Sequence, residues 1–263
     1  MVKFKRTAVA LTIAGADSGG GAGIQADLKT FADLGVHGTS AITCLTAQNP
    51  RHILALCPCS PAFLRQQLTA VWEELPPAAV KTGLLPGAAQ VCVVVDFFKT
   101  RTGTPLVVDP VMVSTSGTSL LPPAARSLLL RELLPLATLV TPNLDEAGIL
   151  IGRQLSSVDD LRTAAREIHA RYGCAALVKG GHLLRTRTAV DIYYDGKTEL
   201  FLSAPFVRGL TTHGTGCTYS AAITAGLANG LSLPDAVGRA KHYVTRAIAD
   251  SRRAGRHFVL GHG

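Results

Sequence analysis

A three-layer α/β/α fold around a mostly parallel sheet is what this sequence predicts, on three observations. Short apolar, β-branched runs recur along the chain, with stretches of helical period between most of them. Runs such as Leu106-Val107-Val108 are apolar on both faces, as a strand must be when helices cover both sides of a parallel sheet. Aromatic residues make up only 5%, and Ala, Leu, Val and Gly are abundant, a balance that favours layered α/β over a sandwich. With 263 residues, 47% of them hydrophobic, the chain can bury a full core without disulfides or metal. No repeat, low-complexity linker or composition break divides it, so a single domain over residues 1–263 is expected.

The first strand is expected at 7–14, where an apolar run leads into glycines, and the first helix at 24–34. Strands at 40–45, 79–81, 106–109, 139–141 and 175–179 then alternate with helices at 61–74, 88–100, 124–134, 144–151 and 157–172. Ser157-Val158-Asp159-Asp160 is a helix-capping signal, and Gly173 stops the helix it opens. The period then changes. Residues 190–194, a turn at Asp195-Gly196 and residues 198–202 read as a β-hairpin. Two helices close the chain, 217–229 ending at Gly230 and 234–253 ending near Gly255.

Composition excludes several functions. No apolar run approaches the roughly 20 residues of a membrane helix, since residues 128–140 are broken by Arg131, Glu132 and Pro135. Lys3, Lys5 and Arg6 before an apolar run resemble a signal peptide, yet the glycine loop and helix that follow mark a first strand, and a cytoplasmic location is expected. Six scattered cysteines fit a reducing compartment. Cys57-Pro58-Cys59 beside His52 lacks a second ligand pair at zinc spacing, so no zinc is expected. A formal charge of +8 would suit anionic substrates or nucleic acid. The basic residues concentrate at 162–187 and 241–256 without interleaved aromatics, which argues against nucleic acid.

Chemistry concentrates in two glycine loops. The first, Gly15 to Gly23, joins the first strand to the first helix and lets a ligand approach the backbone. Its Gly21-Ala-Gly-Ile-Gln-Ala26 formally matches a dinucleotide fingerprint, but no Asp or Glu occurs between Leu34 and Trp72 to hold a ribose. A Walker A motif is absent. The second loop, Thr212-His-Gly-Thr-Gly-Cys217, runs straight into a helix, so successive N–H groups and the helix dipole converge where a phosphate could sit. Cys217 at that helix start is expected to have a lowered pKa and to favour thiolate; a glycine turn with a buried cysteine is the plain alternative.

Seven segments, in order, carry a resemblance that covers almost the whole chain: LTIAGADSGGGAGIQADLKTF, TAQNP, KTGLL, VVDPVMV, TPNLDEA, KGGH and THGTGCTYSAA. The chain resembles the hydroxymethylpyrimidine/phosphomethylpyrimidine kinases of thiamine biosynthesis, in the ribokinase-like superfamily. Ser18-Gly19 departs from the Pro-Ser of some members without changing the loop length. The resemblance implies a ribokinase-like fold without a large lid domain, ATP and Mg²⁺ as cofactors, a pyrimidine alcohol as substrate, and a homodimer.

The resemblance also implies roles. Gly214, Thr215, Gly216 and Cys217 would form the anion hole, Cys217 standing where most of the superfamily has an Asp base. Lys179, Asn143, Thr212 and Gly214 would bind ATP, and Asp109 and Glu146 would support Mg²⁺ through water. Gln48, Asp27, Gly15 and Leu84 would hold the pyrimidine, the Gln48 amide offering a donor and an acceptor to an aminopyrimidine edge. Each also has a plain reading: a surface lysine, a first-turn carboxylate, a strand-end cap, a loop glutamine, packing residues. The rivals are a pyridoxal kinase of the same superfamily and a catalytically silent binding protein. Pyridoxal kinases closest to this family tend to carry Met-Asp where this chain has Gln48-Asn49, and Cys where it has Ser114.

Overall fold

The computed structural model describes residues 6–113, 120–181, 188–207 and 213–263. Nine strands form one sheet in the order β3-β2-β1-β4-β5-β6-β7-β8-β9. Six neighbours are parallel: β2 (His37–Gln48), β1 (Val9–Asp17), β4 (Ala79–Thr82), β5 (Leu106–Val108), β6 (Leu139–Val140) and β7 (Ala175–Lys179). Antiparallel strands finish both edges, β3 (Ile53–Pro58) on one and the hairpin β8 (Thr188–Tyr194) and β9 (Glu199–Pro205) on the other. Helices α2 (Pro61–Glu74), α3 (Ala88–Phe98), α4 (Pro123–Leu128), α5 (Leu144–Ile151) and α6 (Val158–Tyr172) bury one face of the sheet. The other face packs α1 (Gly23–Asp33), α7 (Thr215–Ala228) and α8 (Leu233–Ala249). The three-layer expectation is therefore met, and no described helix is long and apolar enough to cross a membrane.

Local signals explain the helices best placed from sequence. Ser157 accepts the Asp160 N–H at 3.1 Å and Asp160 reaches back to the Ser157 N–H at 3.0 Å, a capping box that starts α6. Gly173 ends it in the left-handed region, at φ 77°.

Three sequence expectations need correction. Strand β3 was not anticipated, because its residues are exposed on both faces and show no burial-driven alternation; Cys57 and Pro58 belong to it. The helix expected at 124–134 passes into a π turn at Leu129–Leu133 and a 3₁₀ turn at Leu134–Leu136, where Pro135 cannot continue an α-helix. The final helix stops at Ala249 instead of 253, and Arg252–Ala254 pairs antiparallel with His257–Val259 as β10 and β11 around Gly255.

Strand order reverses on either side of β1, with β2 on one flank and β4 on the other. A parallel α/β sheet opens a crevice at the carboxyl ends of its strands at such a switch point. The candidate site lies there.

Candidate active site

The first glycine loop is held shut by its own aspartate. Asp17, the last residue of β1, accepts the N–H groups of Gly19, Gly21 and Ala22 at 2.7, 3.0 and 2.8 Å. Those amides are no longer open to a dinucleotide pyrophosphate, which removes the nicotinamide alternative on geometry. His213 Nε2 lies 3.2 Å from Asp17 Oδ2 and ties this loop to the second one. Burial opposes the Asp17 charge, but His213 and the loop amides outweigh it and hold its pKa below the usual carboxylate value. Ser18 adds a staple, its hydroxyl accepting the Gln48 N–H and donating to the Gln48 carbonyl, both at 2.8 Å. The Ser18 departure from the family pattern thus carries a contact. These bonds use the backbone of Gln48, so its carboxamide is not consumed by them.

The two loops touch through glycine. Gly214 sits at φ 87°, and a Cβ there would land on the Gly21 carbonyl, so no other residue fits.

Asp27 is corrected from substrate contact to buried support. It is 0% exposed. Its Oδ1 accepts Lys81 Nζ at 2.8 Å and its Oδ2 accepts the Thr12 hydroxyl at 2.6 Å, so both oxygens are taken beneath the site. Lys81, on β4, is likewise 0% exposed. Burial disfavours its ammonium, but the Asp27 and Asp109 carboxylates around it prevail and raise its pKa. A lysine in the all-buried strand AVKT was the one available signal for this pair, and sequence reasoning gave it no role.

The N-terminus of α7 faces the crevice. Gly214 is its N-cap, and Thr215, Gly216 and Cys217 form the first turn. A Cβ on Gly216 would sit 3.2 Å from Lys179 Nζ and 3.9 Å from Asp109 Oδ2, which places the lysine ammonium against this turn. Thr212 lies outside the described residues, as do His182 and Ser114. The thiolate expected at Cys217 is corrected: burial pushes its thiol up to about 12, although Lys81 and the Gly23 amide work the other way. Desolvation exceeds what the helix terminus and one lysine return, so Cys217 is a thiol at neutral pH.

Beyond it runs a buried row of alternating charge. Lys179, at the end of β7, lies 3.2 Å from Asp109 Oδ1, and Thr141 donates to the same oxygen at 3.0 Å. Ser220 of α7 reaches Asp109 Oδ2 at 3.4 Å. Burial opposes the Asp109 charge, yet Lys179 and Lys81 on either side keep its pKa below the ordinary value. Glu146 is only 4% exposed and, among the described residues, no cation forms a direct ion pair with it; burial, with Asp109 nearby, outweighs the pull of Lys179 and raises its pKa to about 7. Its Oε2 accepts the Asn143 N–H at 2.8 Å, its Oε1 the Met112 N–H at 3.4 Å, and Asn143 Oδ1 accepts the Glu146 N–H at 2.9 Å. Asn143 and Glu146 therefore start α5 as a capping box, and the Asn143 oxygen is committed to that cap.

Gly15 and Leu84 lie against each other. A Cβ on Gly15 would meet Leu84 Cδ2 at 3.6 Å and Cys44 Sγ at 2.8 Å, so Cys44 joins them, a residue with no sequence signal. The structure brings Lys179, Asp109, Glu146, Asn143 and the 214–217 turn to one rim, and it adds Lys81, Asp17, His213 and Ser220.

Comparison with known proteins identifies the family. The family model described as phosphomethylpyrimidine kinase matches residues 17–262. A hydroxymethylpyrimidine/phosphomethylpyrimidine kinase of Rhizobium meliloti is 48% identical over 94% of this chain and 92% of its own length. Among solved structures, an ADP complex of Bacillus subtilis pyridoxal kinase superposes with a TM-score of 0.91 at 39% identity over 98% of both chains. A phosphomethylpyrimidine kinase of Clostridium difficile gives 0.82 at 40% identity, over 92% of this chain and 100% of that one. With its glycine loops joined and its lysine set against the first turn of α7, the chain belongs to the phosphomethylpyrimidine kinase family.

Proposed function

We propose that this enzyme uses ATP to phosphorylate the hydroxymethyl group of 4-amino-5-hydroxymethyl-2-methylpyrimidine, and then that monophosphate to the diphosphate, for thiamine assembly. The observation that carries the reading is the Lys179 ammonium fixed against the first turn of α7, beside Asp109. In phosphoryl transfer the protein mainly positions groups and offsets charge. The amides of the 214–217 turn and Lys179 meet the transferred phosphoryl group. The pyrimidine hydroxyl oxygen bonds to the γ-phosphorus as the bond to the ADP oxygen breaks, and its proton leaves late to a phosphoryl oxygen. Gln48, Gly15 and Leu84 hold the pyrimidine.

Asp109 and Glu146 offer the hard oxygen ligands that suit Mg²⁺, and among the described residues no three of His, Cys, Asp or Glu gather into a protein cage. These two carboxylates would hold the ion through water, where it would offset phosphate charge.

A thiol held protonated is not a general base, so Cys217 shapes the site and orients the acceptor. Cys217→Ser is expected to keep turnover within about tenfold of wild type, because loss of a general base costs about 10²–10⁴-fold. A larger fall in kcat at saturating substrates would return the base role to Cys217.

Pyridoxal phosphorylation is the second reading, favoured by the likeness to the Bacillus subtilis pyridoxal kinase. An ATP-consumption assay over pyrimidine and pyridine alcohols decides between them. The pyrimidine is expected to be preferred over pyridoxal by at least about tenfold in kcat/KM, about 1.4 kcal/mol, which one lost polar pairing supplies. Pyridoxal would leave part of the Gln48 amide unpaired, so the preference should shrink in Gln48→Met. Equal use of both alcohols by the wild-type enzyme would overturn the specificity argument.

A further inference from the structure

Lys179 and Asp191 stand opposite each other in the antiparallel β7–β8 ladder. Directly opposed residues share one face of a sheet with Cβ atoms about 5 Å apart, and opposite charges there form a natural pair. Their face also carries Leu177 and Tyr193, which pack with residues of α7 and α8. Yet the two do not pair. Lys179 reaches Asp109 at 3.2 Å. Asp191 is occupied elsewhere, its Oδ2 by Lys241 Nζ at 2.7 Å and its Oδ1 by the Gly180 N–H at 3.1 Å. Lys241, buried on α8, also donates to the Ala189 carbonyl at 3.1 Å.

We propose that Lys241 is a positioning residue: by holding Asp191 it keeps that carboxylate from capturing Lys179, whose ammonium then stays directed at Asp109 and the first turn of α7. With Lys241 gone, Asp191, only 3% exposed, would keep, among the described residues, the Gly180 amide and the neighbouring Tyr219 hydroxyl but no cation. A buried carboxylate stripped of its partner is strongly unfavourable, and the cation directly across the ladder is Lys179. The inference rests on the reading of Lys179 as the phosphate-facing lysine.

The test varies ATP at saturating pyrimidine. Lys241→Met is expected to lose about 10²-fold in kcat/KM for ATP, the cost of misplacing one aligned group, with the KM for the pyrimidine unmoved. Lys241→Arg, which keeps a cation on Asp191, should retain most of the activity. The double variant Asp191→Asn/Lys241→Met strands no charge and keeps an acceptor for the Gly180 amide. It leaves Lys179 without a competitor, so it should remain within about tenfold of wild type even where the single variant does not fold. A folded double variant that falls below that, or a folded Lys241→Met with unchanged kcat/KM, overturns the proposal. Lys179→Met in the same assay separates the two readings. Full activity there sinks the role of Lys179 itself, whereas an inactive Lys179→Met beside an unaffected Lys241→Met sinks only that of Lys241.

Discussion

Lys179→Met is expected to lower kcat/KM for ATP by about 10³-fold while leaving the affinity for the pyrimidine nearly unchanged, because a fixed charge aimed at the phosphates acts most as charge develops in the transition state. The geometry explains the size of the effect. The ammonium is held by Asp109 at 3.2 Å and set against Gly216, so it needs little reorganisation to meet the transferred group. Loss of this lysine also leaves Asp109 beside Glu146 with Lys81 as its remaining neighbouring cation. Both carboxyls would then hold protons more tightly, and the acid limb of the activity profile should move to higher pH. Steady-state kinetics with ATP and pyrimidine varied separately, together with pyrimidine binding measured by calorimetry, check the split. An equally active variant, or one that loses pyrimidine affinity as much as ATP use, would remove Lys179 from the phosphate site.

Lys81→Met should have the largest effect on stability, about 3–5 kcal/mol, because it strands the Asp27 carboxylate in the core with Thr12 as its one hydrogen-bond partner among the described residues. For a chain of this size each kcal/mol moves Tm by about 2–4 °C, so thermal unfolding should fall by about 10 °C. The deficit should depend on pH. Burial already raises the Asp27 pKa in the intact pair, and without Lys81 it rises further. The folded variant then binds a proton that the unfolded chain has released. Its stability is therefore greatest at low pH and declines as pH rises from the ordinary Asp value through the folded one. The gap to wild type should narrow on acidification from neutral pH. Asp27→Asn/Lys81→Met, with no charge left to bury, should regain most of the loss. A single variant that unfolds within about 2 °C of wild type would show that the pair contributes no such stability.

Much of this could be read from the chain itself. The alternation of apolar strands and amphipathic helices predicted three layers, since a strand apolar on both faces needs a helix layer on each side. Capping chemistry at Ser157 and Gly173 acts within a few residues, so the ends of α6 were predictable. The turn at 214–217 and Lys179, Asp109, Asn143 and Glu146 were singled out by the family resemblance, and the fold brings them to one rim because strand ends and helix starts meet there in a parallel sheet. The edges were harder. Strand β3 is placed by its pairing to β2 and the β10–β11 hairpin by its own ladder, neither of which leaves a periodic apolar signal.

The sequence by itself determined the fold class, the two glycine loops and the residue types gathered at the rim, because periodicity, capping and glycine conformations are local properties of the chain. Which of those residues are open to a ligand and which charge each carries was decided only by the tertiary structure. Asp27 and Lys81 are 54 positions apart and form one buried pair; Asp17 and His213 are 196 apart and join the two loops. Cys217 has the helix start that lowers a thiol's pKa, yet burial leaves it protonated. Burial and charge neighbourhood are sums over parts of the chain remote in sequence, and those sums exist only once the chain is folded.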